Sequence, residues 1–246
     1  MTVAVYFTPG ELATAELPDR VVVIDVLRAT STIVEALGNG ARAVFPVATA
    51  DDAARIAQGI GRDSVLLCGE RKGLPIEGFD LGNAPPEFAP DRVRDASLVM
   101  TTTNGTQAFL AVAERRAGSA GTGGEVFAGA FLNLGALIGT LAEAGEDVTL
   151  VCAGREGRFA LEDALCAGFL VRGLEGAGRT VATNDGGEAA RALADGCGDD
   201  LAAALRRTAA ARRLEEIGRG EDVAFCARLS RSDVVPRFHD RMITAK

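Results

Sequence analysis

The chain has 246 residues, 48% of them apolar, and a formal net charge of −8 from 34 acidic against 26 basic residues. That length and apolar content support one large α/β domain or two small ones and exclude disorder. The acidic balance excludes broad binding to nucleic acid or to an anionic membrane, while leaving room for a local anion pocket of a few arginines.

Cys68, Cys152, Cys166, Cys197 and Cys226 are an odd number with no C-x-x-C pair, which argues against a disulfide framework or a zinc knuckle. No basic-then-apolar leader opens the chain, and no apolar run approaches the ~20 residues of a membrane span. The expectation is a cytoplasmic protein without a membrane or nucleic-acid partner; a homo-oligomer is left open.

In chain order, a strand is expected at Val3–Phe7 and another at Val21–Ile24, where VVVI reads as a strand covered on both faces. That strand delivers Asp25, Arg28 and Thr30-Ser31-Thr32 into a helix at Ser31–Leu37, closed by Gly38-Asn39-Gly40. A strand at Ala43–Pro46, a helix at Thr49–Gly59 and a strand at Val65–Leu67 follow. Gly69–Pro90 is Gly/Pro-rich and aperiodic, and holds Glu70, Arg71, Lys72 and Asp80; loops of that length inside a compact chain are usually functional.

The strand Leu98–Thr101 runs into TTTNGT and a helix at Thr106–Arg115, and Gly118–Gly124 reads as a flexible connector. Next come a strand at Val126–Ala130, Asn133 and a helix at Leu134–Ala144. A strand at Val148–Val151 leads through Gly154-Arg155-Glu156-Gly157-Arg158 to a helix at Leu161–Leu174 that opens with Glu162 and Asp163. A weaker strand at Arg179–Ala182 precedes helices at Gly187–Leu193, Asp199–Ile217 and Gly220–Leu229. This alternation predicts a three-layer α/β/α fold with a mainly parallel or mixed sheet. One domain is expected over 1–246, with a helical C-terminal segment from about 187 packed on it.

In open α/β sheets, ligands bind beyond the carboxyl ends of the strands. Those junctions gather carboxylates that suit Mg²⁺, and arginines and helix starts that suit phosphate. The inventory fits metal-assisted phosphoryl chemistry. Each member also has a structural reading. Asp25 can be a satisfied strand-end carboxylate, Thr30, Ser31 and Thr32 simple helix caps, Arg28 and Arg71 salt-bridge partners, and TTTNGT a hydroxyl-rich turn. Glu162 and Asp163 suit the positive end of a helix dipole. Recurrence of the pattern at several strand ends favours function.

His239 is the only histidine, which excludes a His-rich metal site, and a surface or helix-end role suits it. There is no P-loop, no G-x-G-x-x-G and no G-x-S-x-G elbow. Two alternatives stand beside metal-assisted phosphoryl transfer. Cys152 and Arg158 have the spacing of a cysteine-dependent phosphatase loop, although Glu156 would sit inside it and no hydroxyl follows Arg158. A non-catalytic anion or nucleotide sensor would use the same fold.

VIDVLRATSTIVEAL, CGERKGLPIEGFDLGNAP, TTTNGTQAF, GAFLN and CAGREGRFALEDALCAG, in that order, resemble the 2-phosphosulfolactate phosphatase family. The resemblance runs from about Val3 to the SDVVPRF segment; Lys72 beside Arg71 is a departure that leaves the motif cores intact. It implies an α/β fold and a Mg²⁺-dependent phosphatase that converts 2-phospho-3-sulfolactate, a small anionic phosphate ester, to 3-sulfolactate and phosphate on the way to coenzyme M. On that resemblance Asp25, Glu70 and Asp163 are expected to ligate the metal, with Glu162 ligating or just behind. Asp25, Arg28, Glu70 and Arg71 form the expected catalytic set. Arg28 and Thr30, Ser31 and Thr32 would hold the phosphoryl group, Lys72, Arg155 and Arg158 would supply further cations, and Thr102, Thr103 and Asn104 would line the pocket.

Overall fold

Val21, Val22, Val23 and Ile24 are all wholly buried in strand β2 (Arg20–Ile24). Alternate side chains of a strand leave on opposite faces, so this one run feeds two cores. Val22 and Ile24 join Leu137, Leu141, Leu165 and Leu170 on one face, and Val21 and Val23 join Ile33, Leu37, Phe109 and Val112 on the other. A helical layer on each side is the reason the sequence is continuously apolar there.

This computed structural model describes residues 1–61, 65–117 and 124–245. Around β2 run β1 (Thr2–Tyr6), β3 (Ala43–Pro46), β4 (Val65–Arg71), β5 (Leu74–Pro75), β6 (Ser97–Thr101), β7 (Glu125–Gly129), β8 (Val148–Cys152), β9 (Ala182–Thr183), β10 (Arg237–His239) and β11 (Met242–Thr244). They form one sheet in the order β5-β4-β6-β3-β11-β10-β7-β2-β8-β1-β9. Two parallel blocks, β4-β6-β3 and β7-β2-β8-β1-β9, are joined by the antiparallel β10–β11 hairpin, in which Ile243 pairs with Val44 and Phe238 with Val126. The sheet is therefore mixed, and the fold is α/β as expected.

The helices are α1 (Ala29–Gly38), α2 (Ala50–Ile60), α3 (Pro90–Val93), α4 (Gly105–Ala117), α5 (Leu134–Ala144), α6 (Leu161–Gly176), α7 (Asp185–Asp195), α8 (Leu201–Arg206), α9 (Ala209–Glu216) and α10 (Glu221–Cys226). Among the described residues, no helix is long and apolar enough to cross a membrane.

Four expectations need correction. The helix expected over Asp199–Ile217 is two, because the Thr208 hydroxyl accepts the Ala211 N–H at 3.1 Å and starts a new one. The C-terminal segment is not wholly helical: it ends in the hairpin, whose three-residue strands are too short to show a period. The helix expected over Gly220–Leu229 ends at Cys226. Gly69–Pro90 is not one long loop either. β4 continues to Arg71 and turns back into β5 through Lys72 and Gly73, both at positive φ, as a two-residue hairpin turn requires. The connector expected at Gly118–Gly124 lies, in its residues 118–123, outside the described residues.

Candidate active site

The block containing β4 and β6 runs antiparallel to the block containing β2 and β8, yet the residues at the carboxyl ends of these four strands converge on one cavity, where buried hydrogen bonds fix them. Asp25 follows β2 directly and is 7% exposed. The Thr30 hydroxyl donates to the Asp25 carbonyl at 2.8 Å and accepts the Asp25 N–H at 3.0 Å, and the Ala29 N–H donates to Asp25 Oδ1 at 3.4 Å. α4 begins beside this carboxylate with Gly105, where a Cβ would stand 2.6 Å from Asp25 Oδ2 and 2.5 Å from the Ala29 Cβ. Only a glycine lets the two helix starts meet around Asp25.

Asp163, in the first turn of α6, accepts the Val26 N–H at 2.8 Å and the Gly154 N–H at 3.1 Å, clamping the ends of β2 and β8 together. Glu70 does the same for β4 and β6: it accepts the Gly73 and Thr103 N–H groups, each at 2.7 Å. Arg28 donates to Asp222 of α10 at 2.6 Å, in a buried ion pair, and to the Gly73 carbonyl at 2.7 Å. Asp80 accepts the Leu67 N–H at 2.7 Å and holds the following loop against β4.

These junctions surround a cavity of about 310 Å³. Its walls bring together Asp25, Arg28, Glu70, Lys72, Thr103, Asn104, Arg155, Glu162 and Asp163 from the residues singled out in the sequence. Lys72 and Arg155 sit at matching tight turns, since Arg155 and Arg158 exchange backbone hydrogen bonds at 2.8 and 3.0 Å around Glu156 and Gly157, both at positive φ. The Asn104 side chain accepts the Glu156 N–H at 2.9 Å and ties this turn to the β6 junction.

Other singled-out residues do not line the cavity. Ser31 donates to the Val26 carbonyl at 2.8 Å and Thr32 to the Asn83 carbonyl at 3.0 Å, so the hydroxyls of α1, Thr30's included, are occupied inside the protein. Thr102 is buried and bonded to Thr106. Arg71 donates to the Glu70 carbonyl at 2.7 Å and to the Thr101 hydroxyl at 2.8 Å, while Arg158 is exposed on its turn. Asn133 caps its own turn by accepting the Ala130 N–H at 3.0 Å. In place of the helix-start cradle expected at Thr30–Thr32, Thr30 braces Asp25, Ser31 the Val26 carbonyl and Thr32 the Asn83 loop.

Sequence reading missed Asn83, Asp222 and Arg213. Asn83 lines the cavity, 4% exposed, and its Oδ1 is buried without a hydrogen-bond partner. Its signal was the DLGNAP stretch. Asp222 and Arg213 lie on helices far along the chain, and Arg213 lines the cavity with Ala210 and Leu214.

Burial, then the neighbouring Glu70 and Glu162, push the Asp25 carboxyl up to about 7. Burial and the charges of Asp25 and Glu162 hold Asp163 well above the ordinary carboxylate range, and burial raises Glu162. A cluster of carboxylates kept out of water in this way favours a proton or a cation. Among the described residues, no three His, Cys, Asp or Glu side chains form a ready-made metal cage. Cys152 is 0% exposed at the end of β8, and burial and the nearby Asp163 push its thiol far above the usual range. The cysteine-phosphatase alternative fails here, because such a thiol neither ionises nor reaches a substrate.

Residues 6–241 match the model of a protein family described as 2-phosphosulpholactate phosphatase. The chain is 36% identical to a probable 2-phosphosulfolactate phosphatase of Caldanaerobacter subterraneus subsp. tengcongensis over 244 residues, covering 99% of this chain and 98% of that one. A Synechococcus sp. protein described in the same words is 40% identical over 235 residues, covering 94% and 93%. One of Thermotoga petrophila is 41% identical over 208 residues, covering 83% and 82%.

Proposed function

The chain belongs to the 2-phosphosulfolactate phosphatase family, a family of phosphoric monoester hydrolases, and we propose that the cavity beyond β2, β4, β6 and β8 is where it hydrolyses 2-phospho-3-sulfolactate with Mg²⁺. The observation that carries this reading is Asp25, a carboxyl buried at a strand end among other carboxylates and flanked by the cations Arg28, Lys72 and Arg155.

The donor set fits Mg²⁺. That ion needs only one or two carboxylates, with waters and phosphate oxygens completing its shell, so a three-carboxylate cage is not required. Asp25 and Glu162 would hold it, and the unpartnered Asn83 Oδ1 would be a further hard oxygen at the cavity wall. Both oxygens of Glu70 and of Asp163 already accept backbone N–H groups, which gives these two the task of fixing the junctions. Mg²⁺ held by these residues would supply charge neutralisation at the phosphoryl oxygens and a lowered pKa for the attacking water.

The residues of the chain do the rest. Lys72 and Arg155, on their rigid turns, bind the anionic oxygens of the ester and orient phosphorus towards Asp25. Arg28 holds the β2 junction against the β4–β5 turn through the Gly73 carbonyl. Water adds to phosphorus, the bond from phosphorus to the ester oxygen breaks, and that oxygen takes up a proton to become the hydroxyl of 3-sulfolactate.

The test is phosphate release from 2-phospho-3-sulfolactate by the purified protein. Release with Mg²⁺, its loss in EDTA and its return on adding Mg²⁺ are expected. Absence of release, or release indifferent to EDTA, overturns the reading. Asp25→Asn, still binding phosphate but without turnover, separates the enzyme from a sensor, for which wild-type turnover would be absent.

A further inference from the structure

Resting on that reading, we infer that Arg213 is the residue that selects the substrate, by receiving its sulfonate. The cavity has two kinds of wall. One is made by the strand-end junctions, with the buried carboxylates Asp25, Glu70, Glu162 and Asp163, the exposed Glu156, and the cations Arg28, Lys72 and Arg155. The other is α9, which contributes Ala210, Arg213 and Leu214, residues three and four apart and so on one helical face. Arg213 is the only cation that this helix puts in the cavity lining.

α9 presents Arg213 from a fixed base. Ala211 and Leu214 are buried in the core, and Thr208 caps the helix. The guanidinium itself is loosely held. It pairs with Glu216, three residues on, at 3.2 Å, with the Arg213 side chain partly exposed and Glu216 exposed to solvent. Exposed pairs of this spacing contribute little and exchange readily for a better anion. Arg28, by contrast, is committed to Asp222 and the Gly73 carbonyl.

The substrate has three anionic groups. Phosphate and carboxylate are attached at the same carbon, and the sulfonate is one carbon further out. With the phosphoryl group at the strand ends, the sulfonate is the group that extends furthest from them, towards α9. A guanidinium there meets it with two donors.

The experiment compares 2-phospho-3-sulfolactate with 2-phospholactate, which keeps the phosphate and carboxylate and lacks the sulfonate. Arg213→Gln should lower kcat/KM for the sulfonated ester roughly tenfold, the scale of one charge-assisted contact at a half-exposed site, chiefly through KM. It should change kcat/KM for 2-phospholactate by less than about threefold, and Arg213→Lys should recover part of the loss. Titration calorimetry with 3-sulfolactate and lactate reads the same preference without turnover: wild type binds the sulfonated acid more tightly, and Arg213→Gln loses that margin. Equal losses on both esters, no loss on either, or a wild type that does not prefer 3-sulfolactate overturns the inference. Failure to release phosphate from either ester instead defeats the proposed function, and the calorimetric comparison stands apart from it.

Discussion

The two walls of the cavity are built by different physics. At the strand ends Asp25, Glu70, Glu162 and Asp163 are buried, and two of them are fixed by backbone: Asp163 bridges β2 and β8, and Glu70 bridges β4 and β6. On α9 the side chain facing the cavity is half-exposed, and its ion pair is made within the same helix. A preorganised wall suits bond-breaking, since its dipoles need no rearrangement when charge develops. A wall whose cation is partly exposed and paired only within its own helix suits selection among ligands. One buried strut, Arg28 to Asp222, ties the strand-end wall to α10, the helix that follows α9.

The sharpest way to break this contrast is Asp25→Asn. It should lower kcat by roughly 10²–10⁴-fold, the range for losing a group that acts at the reacting centre, with the circular dichroism spectrum unchanged. A small effect would mean that the strand-end wall is scaffolding. Cutting the strut comes next. Asp222→Ala leaves the Arg28 guanidinium buried and unpaired, and should cost about 3–5 kcal/mol in urea unfolding. Arg28→Met combined with Asp222→Leu should recover most of that stability but not activity.

Gly105→Ala asks how finely Asp25 is placed. Its Cβ would press on Asp25 Oδ2 at 2.6 Å, and kcat should fall by up to roughly 10²-fold. Unfolding stability should fall by only about 1–3 kcal/mol. The smallest effect is a pH dependence. Without metal, the folded protein holds a proton on Asp25 up to about 7, whereas the unfolded chain releases it near 3.8. Between those values the folded state binds more protons, so its stability falls as pH rises and is highest below the window. Glu162 and Asp163, also raised, act in the same direction. Mg²⁺ should therefore raise Tm more at pH 8 than at pH 5, by about 2–4 °C for each kcal/mol of binding. A Tm independent of both pH and Mg²⁺ would show that the carboxylates are not held apart from water.

Much of the strand-end wall was legible in the sequence because it sits at junctions between period-two and helical patterns. Asp25, Glu70, Thr103, Arg155 and Glu162 each follow an apolar run and do converge on the cavity. What could not be read was the direction of individual side chains. Thr30, Ser31 and Thr32 have the right chemistry for a phosphate cradle, but their hydroxyls turn to the carbonyls of Asp25, Val26 and Asn83. Arg71 and Lys72 are neighbours, and the tight turn between β4 and β5 places only the second in the lining. Arg213 and Asp222 come from helices whose docking depends on tertiary packing, which leaves no local mark. The hairpin at Arg237–Thr244 was missed for a related reason: a pair of three-residue strands buries little more than Phe238 and Ile243.

That hairpin also sets a clock. β3 and β7 never pair with each other; each is completed only by residues from the hairpin, with Val44 against Ile243 and Val126 against Phe238. A ribosome adding about 5–20 residues per second therefore leaves the β3 edge open for roughly 10–40 s after it is made. In the later part of that interval, once β6, β7 and β8 have been made, the nascent chain carries two half-sheets with bare inner edges, the kind of surface that recruits other strands. The last turn of the sheet to be synthesised is the one that makes the two halves a single body.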